Sequence, residues 1–113
     1  MNFNALSNVA FGDQDSLGEM LFENNLQHHL FRDTFLDQGV SVPAFPLGDV
    51  DIDNLDDWLL AHQNEHQAFA GLLELNNPIN LLDVDWNQSE EFYDWLASHL
   101  FAHQQVAASL GLT

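Results

Sequence analysis

At 113 residues the chain can form one domain with a single modest core, but not an enzyme with a deep cleft between lobes. Eighteen carboxylates stand against one cation, Arg32, for a formal charge of −17, which excludes nucleic-acid binding led by Lys and Arg contacts to phosphate. An apolar fraction of 46% argues against disorder, and the absence of Cys excludes disulfides, thiolate metal sites and Cys nucleophiles.

Met1 to Leu6 lack a basic stretch and a continuous apolar run, so no secretory signal is expected there. No apolar run is long enough to cross a bilayer, and no membrane partner is expected. Ser16 and Glu19 have capping-box spacing, which predicts a helix from Ser16 to about Leu36, stopped by Gln38-Gly39. Leu21 and Leu36, with Phe22, Leu26 and Leu30, make an apolar band on it, and Phe31 and Phe35 fall on another side. A helix apolar over so much of its circumference is expected to be central or covered by a partner.

Residues 40–53 form a connector in which Pro43 and Pro46 exclude a helix and Val50-Asp51-Ile52 can be extended. Asp53 or Asn54 can cap a second helix, with Asp56 and Asp57 in its first turn and an end by Asn76-Asn77-Pro78. Ser89-Glu90-Glu91 starts a third helix, which Gly111 terminates.

The second and third helices share a skeleton. Trp58, His62, His66 and Leu73 return as Trp95, His99, His103 and Leu110, each 37 residues later (95 − 58, 99 − 62, 103 − 66, 110 − 73). A fainter copy lies 37 residues upstream at Leu21, Asn25, His29 and Leu36. The segments before the helices, Val9-Ala10-Phe11, Val50-Asp51-Ile52 and Val84-Asp85-Trp86, also resemble one another. The expected fold is all-α: a single domain, a small bundle of three related helices with short extended segments before each. Its repeats cover about 9–39, 50–76 and 84–111, and Trp58, Trp95, Trp86, Phe11 and His29 are expected to pack them together.

At about 100° per residue, His62, His66, Phe69 and Leu73 all fall within about 80° of Trp58, so both histidines sit inside the apolar stripe. The leading reading is structural: histidines that hydrogen-bond to Asp and Glu of a neighbouring repeat and fix register. A second is metal binding by His62, His66, His99 and His103, since two His at i and i+4 can chelate one ion such as Zn2+. His62 to His66 also fits the H-x-x-E-H pattern of inverted zincin proteases, but Ala102 replaces Glu65 in the sister copy, so the general base is not part of the repeat. A third is a pH switch, in which six titrating His move the charge from −17 towards −11. With no phosphate loop or nucleophile elbow, the chain is expected to be non-enzymatic and without a cofactor.

The run from Val9 to Leu36, with the two W-L-x-x-H-x-x-x-H helices and the V-D-[I/W] segments before them, resembles a group of small acidic proteins of tailed bacteriophages. That group lies among the head, neck and tail genes. The resemblance implies a structural or assembly protein of the virion, made in the host cytoplasm, contacting other phage structural proteins in many symmetric copies. Phe3, Phe31, Phe35 and Phe45 are the candidate contacts, because aromatic anchors carry much of an interface's energy. The charge of −17 motivates an alternative, an acidic mimic of DNA that blocks a host nuclease.

Overall fold

A computed structural model describes residues 1–42, 55–75 and 84–112. The described residues form four helices: α1 (Phe3–Ser7), α2 (Gln14–Asp37), α3 (Leu55–Leu72) and α4 (Ser89–Ser109). The class is all-α, with α1 as an addition to the three expected helices. Asn2 caps α1, its side chain accepting from the Ala5 amide at 3.2 Å, and Leu6 is fully buried.

α2 starts two residues earlier than the capping box suggested. Asp13 is the cap, accepting from the Asp15 amide at 3.2 Å. Ser16 instead braces the preceding turn: its hydroxyl donates to the Asp13 carbonyl and accepts from the Ala10 amide, both at 3.2 Å. The same turn precedes α4, with Asp13 N–H to Ala10 O at 3.0 Å matched by Gln88 N–H to Asp85 O at 3.1 Å. The three long helices also end alike. Gly39, Glu74 and Gly111 take positive φ, and the amides of Val40, Leu75 and Leu112 reach back to the carbonyls of Phe35, Ala70 and Ala107. The expected caps at Asp53 or Asn54, the extended Val50-Asp51-Ile52 and the stop at Asn76-Asn77-Pro78 lie outside the described residues.

The core is in two parts. One cluster takes Met20 and Leu21 from α2, Leu55, Trp58 and Leu59 from α3, and Phe92, Trp95 and Leu96 from α4, roofed by Leu6 and Val9. The other takes Phe31 and Phe35, Phe69, and Val106, Ala107 and Leu110. Every long helix gives its N-terminal half to the first cluster and its C-terminal half to the second, so all three run parallel. Parallel neighbours cannot be joined by the short loops of an up-and-down bundle, which is why residues 38–54 and 73–88 are so long.

This architecture corrects the expected contact surface. Phe31 and Phe35 are core residues, 0% and 2% exposed, because the inward face of α2 carries them. The band of Phe22, Leu26, Leu30 and Leu36 is the outer one, at 67%, 51%, 39% and 63% exposed. Phe3 is half-buried against both clusters, and Phe45 lies outside the described residues. Trp58 and Trp95 pack the repeats together as expected, and half-buried Trp86 rests on Trp95 and Phe92. Phe11 remains 42% exposed while touching Phe92. No helix of the described residues is long and apolar enough to cross a membrane.

Candidate metal centre

Between the two apolar clusters lies a polar layer. Positions one turn apart share a helix face, and each long helix turns two such positions to the bundle axis: Asn24 and His28, His62 and His66, His99 and His103. All six are buried.

The three residues nearer the helix N-termini form a ring. Asn24 Oδ1 lies 3.0 Å from His62 Nε2 and 2.8 Å from His99 Nε2, and those two nitrogens are 3.1 Å apart. The three nearer the C-termini form a second ring, in which His28 Nε2 lies 3.2 Å from the Nε2 atoms of both His66 and His103. His62 and His66 link the rings at 3.1 Å. One ring nitrogen from each of the five histidines falls within 4.8 Å of all the others, a set that could hold a metal ion.

Outer partners fix two tautomers. Arg32 Nη1 donates to both oxygens of Glu65, at 2.9 and 2.8 Å. The carboxylate so held accepts from His28 Nδ1 at 2.9 Å. Gln27 Nε2 donates to Asn2 O and Glu23 Oε1, which leaves Gln27 Oε1 to accept from His103 Nδ1 at 2.8 Å. With their protons on Nδ1, His28 and His103 meet as two bare Nε2 lone pairs 3.2 Å apart. Lone pairs at that distance repel unless a cation lies between them. A ligating His whose other N–H is held by a carboxylate or carbonyl is the usual construction of a metal site.

The other ring is built differently. His62 lies flat on Trp58 and His99 on Trp95, with centroids 4.5 and 4.6 Å apart and both planes at 14°. Their Nδ1 atoms are buried without a hydrogen-bond partner.

Burial holds all five histidines neutral. Desolvation lowers His28, His62, His99 and His103 well below the ordinary value, helped by neighbouring imidazoles, and lowers His66 to about 3. Five of the six His therefore do not titrate near neutral pH in the folded chain, which removes the expected drift from −17 towards −11. Among the described residues, the expected pairing with Asp and Glu is found at His28, with Glu65.

The structure brings His62, His66, His99 and His103 together and adds His28. His29, expected to pack the repeats, is a surface residue instead, its side chain 68% exposed and 3.4 Å from Asp33. One helical step of about 100° separates it from the inward His28. The match between the first and second copies is thus 38 residues, pairing Met20 with Trp58, Asn24 with His62, His28 with His66 and Phe31 with Phe69. Glu65 is not placed as a general base, because His28 and Arg32 already hold it. Asn24, Gln27, His28 and Arg32 are site residues that a 37-residue register hides. Two surface pockets, one lined by Phe11, Trp86 and Phe92 and the other by Asn2, Gly18 and Phe22, include none of the five histidines.

No known protein family, curated protein or solved structure matches this chain. The geometry of the histidine layer is therefore the basis for assigning a role.

Proposed function

We propose that the chain is a metal-binding helical protein whose histidine layer holds one divalent transition-metal ion, Zn2+ or a neighbour, as a non-catalytic centre tying the three repeats together. The observation that supports this most strongly is the pair of bare Nε2 atoms of His28 and His103, aimed at each other by Glu65 and Gln27. Imidazole donors suit the middle and late first-row divalent ions, and their neutrality lets them bind without first losing a proton. The two apolar clusters close the layer from both ends, which favours a structural ion over one that meets a substrate.

Elemental analysis after purification without chelator tests the proposal. One ion per chain is expected, and it should be lost from the His99→Ala/His103→Ala variant; a metal-free chain that takes up none on titration contradicts it.

The structural or assembly role in a phage particle is a separate proposal, compatible with a metal-tied module. The exposed band of Phe22, Leu26 and Leu30 on α2 supports it as a surface for protein contact. Quantitative mass spectrometry of purified particles should find the chain there in many copies, and its absence from mature and immature particles would end that reading.

A further inference from the structure

We infer that the centre is six-coordinate, with Asn24 Oδ1 as the sixth donor beside the five histidine Nε2 atoms, and that it selects an octahedral divalent ion such as Fe2+, Co2+ or Ni2+ over tetrahedral Zn2+. The inference rests on the metal-binding reading and specifies its coordination.

Asn24 is fully buried at the position that His62 and His99 occupy in the sister repeats. Its amide is oriented by its own donor: Nδ2 gives a hydrogen bond to Asn25 Oδ1 at 3.2 Å, which turns Oδ1 to the axis. There the oxygen accepts from His62 and His99 at 3.0 and 2.8 Å. That is a little closer than the 3.1 to 3.2 Å between neighbouring histidine nitrogens, so it stands in the same cluster of donors. Three parallel helices giving two donors each produce two stacked triangles, and a staggered pair of triangles is an octahedron.

The number of gathered donors, more than their spacing, separates the candidate geometries. Zn–N bonds run to about 2.0–2.1 Å, so a tetrahedral Zn2+ site spreads its donors about 3.3–3.4 Å apart. The same bond length in an octahedron gives edges of about 2.8–3.0 Å and opposite corners about 4.0–4.2 Å apart. Neighbouring histidine nitrogens lie 3.1 to 3.2 Å apart, between the two edge lengths. Five of them gather within 4.8 Å of one another with Asn24 Oδ1 beside them, more donors than a tetrahedron takes and a number that an octahedron with slightly longer bonds accommodates.

Charge points to the oxidation state. All six donors are neutral, and Glu65, the carboxylate behind His28, is already paired with Arg32. A site without a ligating anion stabilises a divalent ion over a trivalent one, because each added buried charge needs compensation. His28 and His103 present Nε2 already. His62 and His99 ligate once their protons move to Nδ1, which no acceptor occupies, and the hydrogen bonds they then give up free Asn24 Oδ1 for the ion.

Co2+ titration of the full chain, followed by visible absorption, tests the coordination number. Six-coordinate high-spin Co2+ absorbs weakly and four-coordinate Co2+ intensely. The expected result is uptake of one Co2+ with weak bands. Asn24→Ala should bind Co2+ at least about tenfold more weakly and absorb more strongly, as a five-coordinate ion does. Asn24→His should restore the weak spectrum, since the sister helices carry His there, and it keeps the test open if Asn24→Ala fails to fold. Uptake with intense bands in the original chain would overturn six-coordination and leave the metal-binding reading standing. No uptake of Co2+ would overturn both.

Discussion

His28 and His103 spend their second ring nitrogen on a fixed acceptor, Glu65 Oε1 at 2.9 Å and Gln27 Oε1 at 2.8 Å. His62 and His99, in the neighbouring ring, leave that nitrogen without a partner and are held by stacking on Trp58 and Trp95. The first ring is oriented by outer hydrogen bonds that put the protons on Nδ1. The second is oriented by stacking and by Asn24 Oδ1, which accepts from both Nε2 atoms and so puts the protons on the inner nitrogens. The difference teaches where preorganisation lies. Removing an outer partner should loosen the first ring, whereas an ion entering the second must displace the Nε2 protons of His62 and His99 and with them the hydrogen bonds to Asn24 Oδ1.

Acid should break the comparison altogether, because both rings depend on neutral imidazoles. The sign follows from the lowered values: below pH 6.5 the unfolded chain binds protons that the folded layer refuses, so stability is complete above 6.5 and falls as pH drops. Each His contributes about 1.4 kcal/mol per pH unit in that window. Five that all stay neutral cost up to about 7 kcal/mol by pH 5.5, comparable with the whole stability of a small domain, about 5–15 kcal/mol. Circular dichroism against pH should show cooperative unfolding between about pH 5 and 6; a chain still folded at pH 4 would mean that the layer is not buried and neutral.

The next largest effect should fall on the hydrogen-bonded ring. Glu65→Ala strands Arg32, 23% exposed, without its buried partner and frees His28 Nδ1. Breaking a buried ion pair on one side costs about 3–5 kcal/mol, to be read from urea unfolding. A loss below about 1 kcal/mol would show that Glu65 does not anchor this ring. Gln27→Leu is a milder cut at His103. It should lower metal affinity about 10- to 100-fold, the usual effect of losing an outer partner, with a smaller loss of stability. Isothermal titration with Ni2+ or Co2+ measures it, and unchanged affinity would make the two rings equivalent.

The smallest effect separates adjacent residues. His29→Ala should change stability by less than about 0.5 kcal/mol, since its pair with Asp33 is exposed. His28→Ala, one position earlier, should abolish metal binding. Equal effects from the two variants would refute the 38-residue register.

That register shows what was legible in the sequence. The helices at Trp58 and Trp95 repeat without a shift, so their four histidines could be placed inside the apolar stripe from spacing alone. α2 gives no such phase. It carries Met20 where the others carry Trp and Asn24 where they carry His, and its outer face holds Phe22, Leu26, Leu30 and Leu36. A helix apolar on both faces does not say which one is inward, and a one-residue slip rotates it by about 100°. The slip exchanged His28 for His29 and turned Phe31 and Phe35 outward. Matching Phe31 to Phe69 would have fixed the phase. The partners Gln27 and Arg32 were beyond reach for another reason: they depend on how parallel helices meet, and repeat spacing carries no record of that. The chain's single cation, Arg32, is spent on Glu65 in the interior.

On the metal-binding reading, one ion in the layer of His28, His62, His66, His99 and His103 ties the three helices together. Thermal unfolding of the chelator-stripped protein, with and without added Co2+ or Ni2+ at about a thousand times Kd, tests it most directly. Ligation should add about 4 kcal/mol and raise Tm by roughly 10–20 °C, saturating at one ion per chain and reversing with chelator. An unchanged Tm with no bound metal would contradict the account and leave the layer as a hydrogen-bonded polar core.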